Sequence, residues 1–571
     1  MRRTLTVLAI IAISFANTQA QNFGWARSFG GKNYDDGNAI ATDKDGNVYI
    51  TGSFQKFVGS PVDFDPGAGT YFLDALGQFD AFIVKLDAAG NFVWAKNIGG
   101  SGGKAQGNGI AVDGSGNVYT TGYFSYTADF DPGEGTYNLL APFVVQNSPT
   151  DIFVLKLNSN GDFVWAKNIG ANFNDKGNGI TLDGTANVYV TGEFNGTADF
   201  DPGTETSNLA ANGNTDGFVL KLDASGNFKW AKNYGGSGID VSTAITVDAN
   251  GNVFTTGINS ANADFDPGTA TFNILDQGAF VSKLDAGGNF LSAFGFTGAV
   301  INGIKTDVSG NIYTTGNFQG DVDLDPGTSA YNLKATVGGA DVFLSKLSST
   351  GKFIWARRVY SNSAESSNGL ELDGSGNIFI VGKSYGSGLR VDGESSTISP
   401  GFAGDYMIIL QFNEDGVLMG SNYLGGSDVI GKALALDKNS NVFTTGNFVL
   451  TSDFNPDAPV FDLTAVAFTD VFISKLKLSP YITTGLEEVE SRINFQLYPN
   501  PTSSIVSIKI PEIGMHNHCK VVIYDLNGRL VLERPISNEV EKIDISNLEA
   551  GMYIFNISSD ISKTTKRVVK Y

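Results

Sequence analysis

The residues best suited to chemistry in this sequence are paired aspartates. Asp63 and Asp65 flank Phe64 in Val62-Asp-Phe-Asp-Pro-Gly67, and the motif returns with Asp129 and Asp131, Asp199 and Asp201, and Asp264 and Asp266. A fifth copy, with Leu324 at the centre, carries Asp323 and Asp325. Carboxylates at i and i+2 of an extended segment point the same way, and hard oxygen donors of this kind suit calcium. These aspartates are the candidate metal ligands. Asp-Pro-Gly is also a turn signal, so a purely structural role competes with the metal. A degraded copy stands at Ser452-Asp-Phe-Asn-Pro-Asp457, and Val391-Asp-Gly393 retains little of it.

Other chemistries find less support. Both histidines, His516 and His518, fall near the C-terminus. Gly99-Gly-Ser-Gly-Gly103 fits the GxSxG pattern in form, but Ser101 has no histidine base nearby and no strand-to-helix turn to hold it. Hydrolysis by a carboxylate pair stays open because aspartate is plentiful, although no pair stands apart from its repeats. The single Cys519 excludes an internal disulfide, and the absence of a Cys/His cluster disfavours zinc. A net charge of -21 argues against nucleic acid, which requires a basic face, and against anionic lipid.

The elements that would carry these residues follow from an internal repeat. Gly109-Ile-Ala-Val-Asp113, a small turn, then Asn117-Val-Tyr-Thr-Thr-Gly122 recurs along the chain. Its last glycine falls at Gly52, Gly122, Gly192, Gly257, Gly316, Gly382 and Gly446. Units of roughly 60–70 residues at this regularity indicate a repeat architecture. The Asp at the start of each turn (Asp43, Asp113, Asp183, Asp248, Asp307, Asp373, Asp437) and the Asn four residues on read as turn builders. Each unit contains four strand-like runs, in the second unit Gly109 to Asp113, Asn117 to Phe124, Asp151 to Leu157 and Asp162 to Ile169. Four strands per unit indicate propeller blades, with a solenoid as the alternative.

The chain ends decide between them. The last unit stops after Val471 to Leu476, and its missing fourth strand is found at Phe23-Gly-Trp-Ala-Arg-Ser-Phe-Gly30, a match to Phe92 to Gly99. A strand so displaced closes a ring and leaves no sheet edge exposed. The expectation is an all-β chain: a seven-bladed β-propeller over 21–478 closed by an N-terminal strand, then a small C-terminal β-sandwich. Tight turns would share one face of the ring, and the Asp-Phe-Asp-Pro-Gly loops and glycine-rich loops the other, the candidate working surface. Trp25, Trp94, Trp165, Trp230 and Trp355 recur in the fourth strand and read as inter-blade packing. Phe92 and Trp94, two apart, are expected on one face of their strand.

With the Asp-x-x-Gly-Asn-Val-Tyr-x-Thr-Gly core, the following Lys-Leu and the Trp-Ala-Lys in place, residues 21 to about 478 resemble the bacterial β-propeller repeats sometimes called SBBP. That resemblance implies an extracellular or envelope setting and no single activity.

The two ends of the chain read differently. Arg2 and Arg3, an apolar Leu5 to Phe15 and Thr18-Gln-Ala20 have the form of a signal peptide over 1–20. No later run is long and apolar enough to span a bilayer as a helix. After a polar linker, 479–490, residues 491–571 carry strand-like runs at Ile505 to Ile510, Val521 to Asp525, Leu530 to Leu532, Met552 to Ile557 and Lys566 to Lys570. Leu497-Tyr-Pro-Asn-Pro-Thr502, Val521-Val-Ile-Tyr-Asp-Leu-Asn-Gly528, Leu548-Glu-Ala-Gly-Met-Tyr-Ile554 and the basic end resemble the sorting domain of the type IX secretion system. That resemblance implies type IX secretion machinery as a partner and passage through the periplasm to the outer surface of a Gram-negative cell. The functional expectation is a secreted or cell-surface binding or adhesion module for an extracellular glycan or protein. A secreted polysaccharide hydrolase or lyase using propeller carboxylates is the alternative.

Overall fold

The computed structural model describes residues 23–142, 149–386, 388–393, 405–426, 428–456, 459–478, 496–499, 502–510, 520–525, 529–536, 538–558 and 563–570. The signal segment 1–20, the linker 479–490, Asp457, His516, His518 and Cys519 lie outside the described residues. The chain divides into two compact units, 1–481 and 482–571. Every named element among the described residues is a strand.

In the first unit each repeat folds into an antiparallel sheet whose strand order follows the chain. Sheet 1 runs Asp35–Thr42, Val48–Gln55, Phe79–Leu86 and Phe92–Ile98. Sheet 2 runs Ala105–Val112, Val118–Phe124, Asp151–Leu157 and Phe163–Ile169, so its first strand begins four residues before the expected Gly109. Polar Gln106 and Asn108 break the apolar run there and hide its start. The first strands of sheets 3 to 7 are Lys176–Leu182, Val241–Val247, Ala299–Thr306, Glu365–Leu372 and Ile430–Leu436. Sheet 5 gains an edge strand, Arg390–Val391, from the remnant of the aspartate motif. In sheet 7 the fourth place is taken by Phe23–Phe29, antiparallel to Asp470–Leu476 with Arg27 opposite Ile473. The unit is propeller-like.

Every first strand carries a bulge at its third or fourth residue. Asn38, Asn108, Asn178, Thr243, Asn302, Asn368 and Lys432 are the extra residues, left without a partner on the second strand. Each reaches the next sheet instead. Asn38 Nδ2 donates to the Gly107 carbonyl at 3.0 Å, Asn108 to Gly177 at 2.9 Å and Asn178 to Ser242 at 2.9 Å. Thr243 Oγ1 donates to Ile301 at 3.1 Å, Asn302 to Ser367 at 2.9 Å and Asn368 to Gly431 at 2.8 Å. Lys432 Nζ donates to Asp36 Oδ1 at 2.9 Å and Asn38 Oδ1 at 3.1 Å, so the last link returns to sheet 1. The repeated Thr-Gly has its reason here. A Cβ on Gly52 would stand 1.8 Å from the Asp36 carbonyl oxygen, and six equivalent glycines meet the same obstacle.

Apolar side chains fill the space between neighbouring sheets. Tyr49, Ile83 and Trp94 of sheet 1 share one buried cluster with Phe124, Phe153 and Leu155 of sheet 2. The fourth-strand tryptophans pack between sheets as expected. Trp25 Nε1 donates to Ala88 O at 3.3 Å and Trp94 Nε1 to Ser159 O at 3.4 Å, each in the next sheet's tight turn. Their rings lie on Gly90 and Gly161 of those turns. The shared face expected for Phe92 and Trp94 is wrong. A bulge places Trp94 opposite Lys85 and Phe92 opposite Leu86, and the inserted residue sends the two rings to opposite faces. Phe92 packs on sheet 1's own Tyr71 at 5.1 Å, while Trp94 joins sheet 2.

The tight turns are built by the repeated aspartates. Asp43 Oδ1 accepts from the amides of Asp45 and Asn47, and Oδ2 accepts from Asn47 Nδ2 at 2.7 Å and Tyr49 Oη at 3.0 Å. These bonds hold the carboxyl below its ordinary range against the opposing effect of burial.

The second unit packs a three-stranded sheet, Gln496–Tyr498, Ile505–Lys509 and Val540–Asp544, and a four-stranded sheet around one core. The four-stranded sheet contains Lys520–Asp525, Leu530–Pro535, Gly551–Ser558 and Lys563–Lys570. Val506, Ile523, Ile543 and Phe555 are buried between them. Sequence reading missed the first strand and Val540–Asp544. In the latter, an edge strand, only Ile543 is buried, so the apolar alternation is too thin to see.

Removing residues 21–31 is expected to expose the edge of Asp470–Leu476 and sharply lower the melting temperature and solubility. Trp25→Ala is expected to cost about 3–5 kcal/mol in denaturant unfolding. An unchanged melting curve for the deletion would refute a role for this strand in holding the sheets together.

Candidate functional site

The Asp-Phe-Asp-Pro-Gly copies form small hairpins after the second strand of their sheets. In sheet 2, Thr127–Asp129 pairs with Asn138–Leu140. Asp129 Oδ1 accepts from the amides of Asp131 at 3.0 Å and Tyr137 at 2.8 Å, and Asp131 Oδ1 accepts from Gly133 N at 2.9 Å. The other copies repeat this. Asp63 takes Asp65 N and Tyr71 N, Asp199 takes Asp201 N and Ser207 N, Asp264 takes Asp266 N and Phe272 N, and Asp323 takes Asp325 N and Tyr331 N. Asp65, Asp201, Asp266 and Asp325 each accept from the glycine two residues on. One oxygen of every candidate ligand is therefore engaged in its own turn. Among the described residues, no three His, Cys, Asp or Glu side chains gather as a metal ion would require.

The residue between the aspartates does the packing. Phe64, Phe130, Phe200, Phe265 and Leu324 are buried, and Phe130 lies 5.2 Å from both Phe124 and Phe153. The hairpin also bridges back to the preceding sheet, with Asp129 N donating to Gly99 O at 2.9 Å. The motif is thus a clip between neighbouring sheets. Ser101 of the GxSxG segment sits exposed in the turn beside this bridge, and none of the hydrogen bonds described there gives it a base.

A second group of residues breaks the repeat. The position after the repeated second-strand glycine holds Ser53, Tyr123, Glu193, Ile258, Asn317, Lys383 and Asn447. Directly opposite on the first strands stand Asp36, Gln106, Lys176, Val241, Val300, Ser366 and Ile430. The flanking glycines do not change, whereas these cross-strand pairs differ from sheet to sheet. They lie beside the bulge belt, at the end of the second strand that leads into the hairpin loops. Two of these pairs are joined. Tyr123 Oη donates to Gln106 Oε1 at 3.1 Å and Lys176 Nζ meets Glu193 Oε1 at 2.7 Å, while Asn317 Oδ1 accepts from the bulge residue Asn302 at 3.3 Å. Lys383 is buried and bonded to Asp428, with Asp405 Oδ2 at 3.4 Å. Val241, Ile258 and Val300 make an apolar arc between the polar pairs. Sequence reading aimed at repeated residues and so passed over this column, whose signal is its irregularity.

Family models match the chain at both ends. Residues 496–571 match the secretion system C-terminal sorting domain, and residues 24–53 and 93–123 match the β-propeller repeat. The chain carries SBBP β-propeller repeats and a type IX secretion sorting domain. This repeat protein carries the tail of a secreted or outer-surface protein. No helix among its described residues is long and apolar enough to cross a membrane.

Similar proteins include an uncharacterized WD repeat-containing protein of Acanthamoeba polyphaga mimivirus. It is 26% identical over 409 residues, 60% of this chain and 29% of that one. The regulatory protein FlaEY of Caulobacter vibrioides is 26% identical over 140 residues, 24% of this chain and 14% of its own. The chain therefore spans less than a third of either relative. Among solved structures, PorZ of Porphyromonas gingivalis, a surface component of the type IX secretion system, has a TM-score of 0.26 at 11% identity, covering 95% of this chain and 70% of PorZ. A protein of unknown function from Dyadobacter fermentans has a TM-score of 0.31 at 9% identity, covering 80% of this chain and 96% of its own.

The clip role separates the residues of one motif. Phe130→Ala is expected to cost about 3–5 kcal/mol in denaturant unfolding. Asp131→Asn, which weakens one exposed turn bond, is expected to cost about 1 kcal/mol or less. Equal costs would mean that the aspartates do more than shape the turn.

Proposed function

We propose that the repeat unit is a closed propeller of seven blades and that it acts outside the cell as a binding or adhesion module. Its ligand surface is the rim of unlike residues on the face bearing the Asp-Phe-Asp-Pro-Gly hairpins. Closure is supported by the pairing of Phe23–Phe29 with Asp470–Leu476 and by the Lys432 link back to Asp36. Binding is supported chiefly by one observation. Side chains diverge in one column of an otherwise repetitive strand, where scaffold packing imposes no common residue. Tyr123, Gln106, Lys176 and Glu193 offer donors and acceptors, and Val241, Ile258 and Val300 offer an apolar edge. This mixture suits a glycan or a peptide segment. The rim carboxylates Asp36 and Glu193 each meet a lysine, which favours recognition over acid–base hydrolysis. Residues 1–20 would serve as the signal peptide that starts export.

Screening the full chain against glycan and surface-protein arrays would supply a ligand. Tyr123→Ala combined with Glu193→Gln is then expected to weaken it tenfold or more, about 1.4 kcal/mol, at an unchanged melting temperature. Glu134→Gln and Glu205→Gln, at the hairpin tips, should leave affinity intact. Retained affinity in the rim variant would place the site elsewhere.

Calcium at the hairpin aspartates is tested apart from the rim. The turn bonds occupy Oδ1 of each residue, so calcium would have to be held through Oδ2 and backbone oxygens. Titration of the chelator-treated protein is expected to give no heat and no gain in melting temperature. A heat of binding lost on Asp129→Asn and Asp131→Asn would establish the metal site.

A further inference from the structure

At four junctions between consecutive sheets, two buried carboxylates from different sheets are brought to the short turn that joins those sheets. Asp470, first residue of the third strand of sheet 7, lies against Gly30, with Oδ1 2.3 Å from where a Gly30 Cβ would stand. The next amide, Gly31 N, donates to Asp35 Oδ2 of sheet 1 at 2.6 Å. Asp151 Oδ1 lies 2.5 Å and Asp175 Oδ2 2.9 Å from the equivalent point on Gly170, and Ala171 N donates to Asp175 Oδ2 at 2.9 Å. Asp216 and Asp240 meet in the same way at Gly235 and Gly236. At the fourth junction Asp341 faces Glu365, which takes Ser361 N at 3.1 Å.

The hydrogen bonds of these pairs are incomplete in one consistent place. Both oxygens of Asp35, Asp175 and Asp240 already accept from amides. Oδ1 of Asp151, Asp216, Asp341 and Asp470 is buried and has no donor. The repeat supplies its own control. Asp80 occupies the same third-strand position, but the facing first-strand residue is Ala105, and there Asp80 Oδ1 accepts from Gly77 N at 3.1 Å. At the two remaining junctions both members are lost, to Gly278 with Ala299 and to Tyr406 with Val429. An orphaned Oδ1 therefore occurs where a second carboxylate faces it.

We propose that the pairs Asp470–Asp35, Asp151–Asp175 and Asp216–Asp240 each hold one proton between their carboxyl groups, so that the sheets are clamped together while the pairs are protonated and pushed apart when they ionise. The proton supplies the donor that the orphaned oxygen lacks and removes one of two buried negative charges. Charged neighbours do not neutralise these three pairs. Asp36, beside Asp35, is bound to Lys432, and Glu193, near Asp175, is bound to Lys176. Asn168 and Asn233 are the neutral groups beside Asp151 and Asp216. The Asp341–Glu365 junction differs because Arg358 bonds Asp341, with Asp392 close by and Ser361 and Ser384 on Glu365.

Burial is the leading cause that pushes Asp151 up to about 8, Asp35 and Asp175 to about 7, and Asp216 and Asp470 to about 6. The folded chain thus holds these protons more tightly than the unfolded chain. The stability they confer is complete below about pH 4, the unfolded value, and is lost as pH rises through 6 to 8.

The test is thermal unfolding of the full chain from pH 5 to 8, beside the triple variant Asp151→Asn, Asp216→Asn, Asp470→Asn. An amide nitrogen supplies permanently the hydrogen that the shared proton supplies. The wild type is expected to lose several degrees over this range, and the triple variant to lose clearly less and to melt above wild type at pH 8. A variant slope equal to that of the wild type overturns the proposal. If the triple variant fails to fold, infrared spectra of the wild type near pH 7 decide. A carbonyl band of protonated carboxyl groups that disappears toward pH 9 supports the pairs, and its absence overturns them. Calcium or sodium that raises the wild-type melting temperature at pH 8 without affecting the triple variant would put a cation, not a proton, between the carboxylates and overturn the proposal.

Discussion

The bulged residue of each first strand is the contact on which the first unit depends. Sheets stacked side by side gain most of their stability from apolar packing, which is non-directional and would tolerate sliding. The bulge turns one side chain out of the ladder and commits it to a carbonyl of the next sheet, which sets the register between sheets. The same geometry forces the neighbouring second-strand glycine, because only a residue without Cβ passes the crowded carbonyl. Three repeated features (the Thr-Gly step, the Asn and the close approach of the first two strands) are one constraint seen from three sides. Lys432 stands where an asparagine is usual, and its longer reach makes the link to Asp36 and Asn38.

Function and scaffold divide this surface differently from the way residue types suggest. Aspartate looks chemical, yet one oxygen of each tight-turn and hairpin aspartate accepts from backbone amides, and the apolar residue between each hairpin pair anchors it to the core. The rim next to the belt is free of these duties, and there the repeats diverge. The acidic charge of the chain is also unevenly placed. Some carboxylates sit in turns that lower their affinity for protons, and others are buried in pairs where a proton is hard to remove.

Much of this architecture was legible in the sequence, because a repeated fold prints its constraints many times. The Asp-to-Asn spacing announces the tight turns, the alternating apolar runs announce strands, and the orphan strand at Phe23 matches the gap after Leu476. Strand starts were less visible where polar belt residues interrupt the apolar run, as at Gln106 and Asn108. The Phe92–Trp94 error has the same origin. A bulge adds one residue to a strand without a distinctive letter in the sequence, and it reverses the face of everything beyond it.

Local chemistry by itself determined the turns, the strand-rich repeats and the sorting domain, since each depends on residues close together in the chain. The partners of side chains that act between sheets were decided only by the tertiary structure. Which residue Asn38 reaches, and that Asp151 must share its burial with Asp175, depend on where separate sheets come to rest. Hydrogen bonding and desolvation act over a few ångströms in space, and spacing along the chain does not encode those distances between repeats.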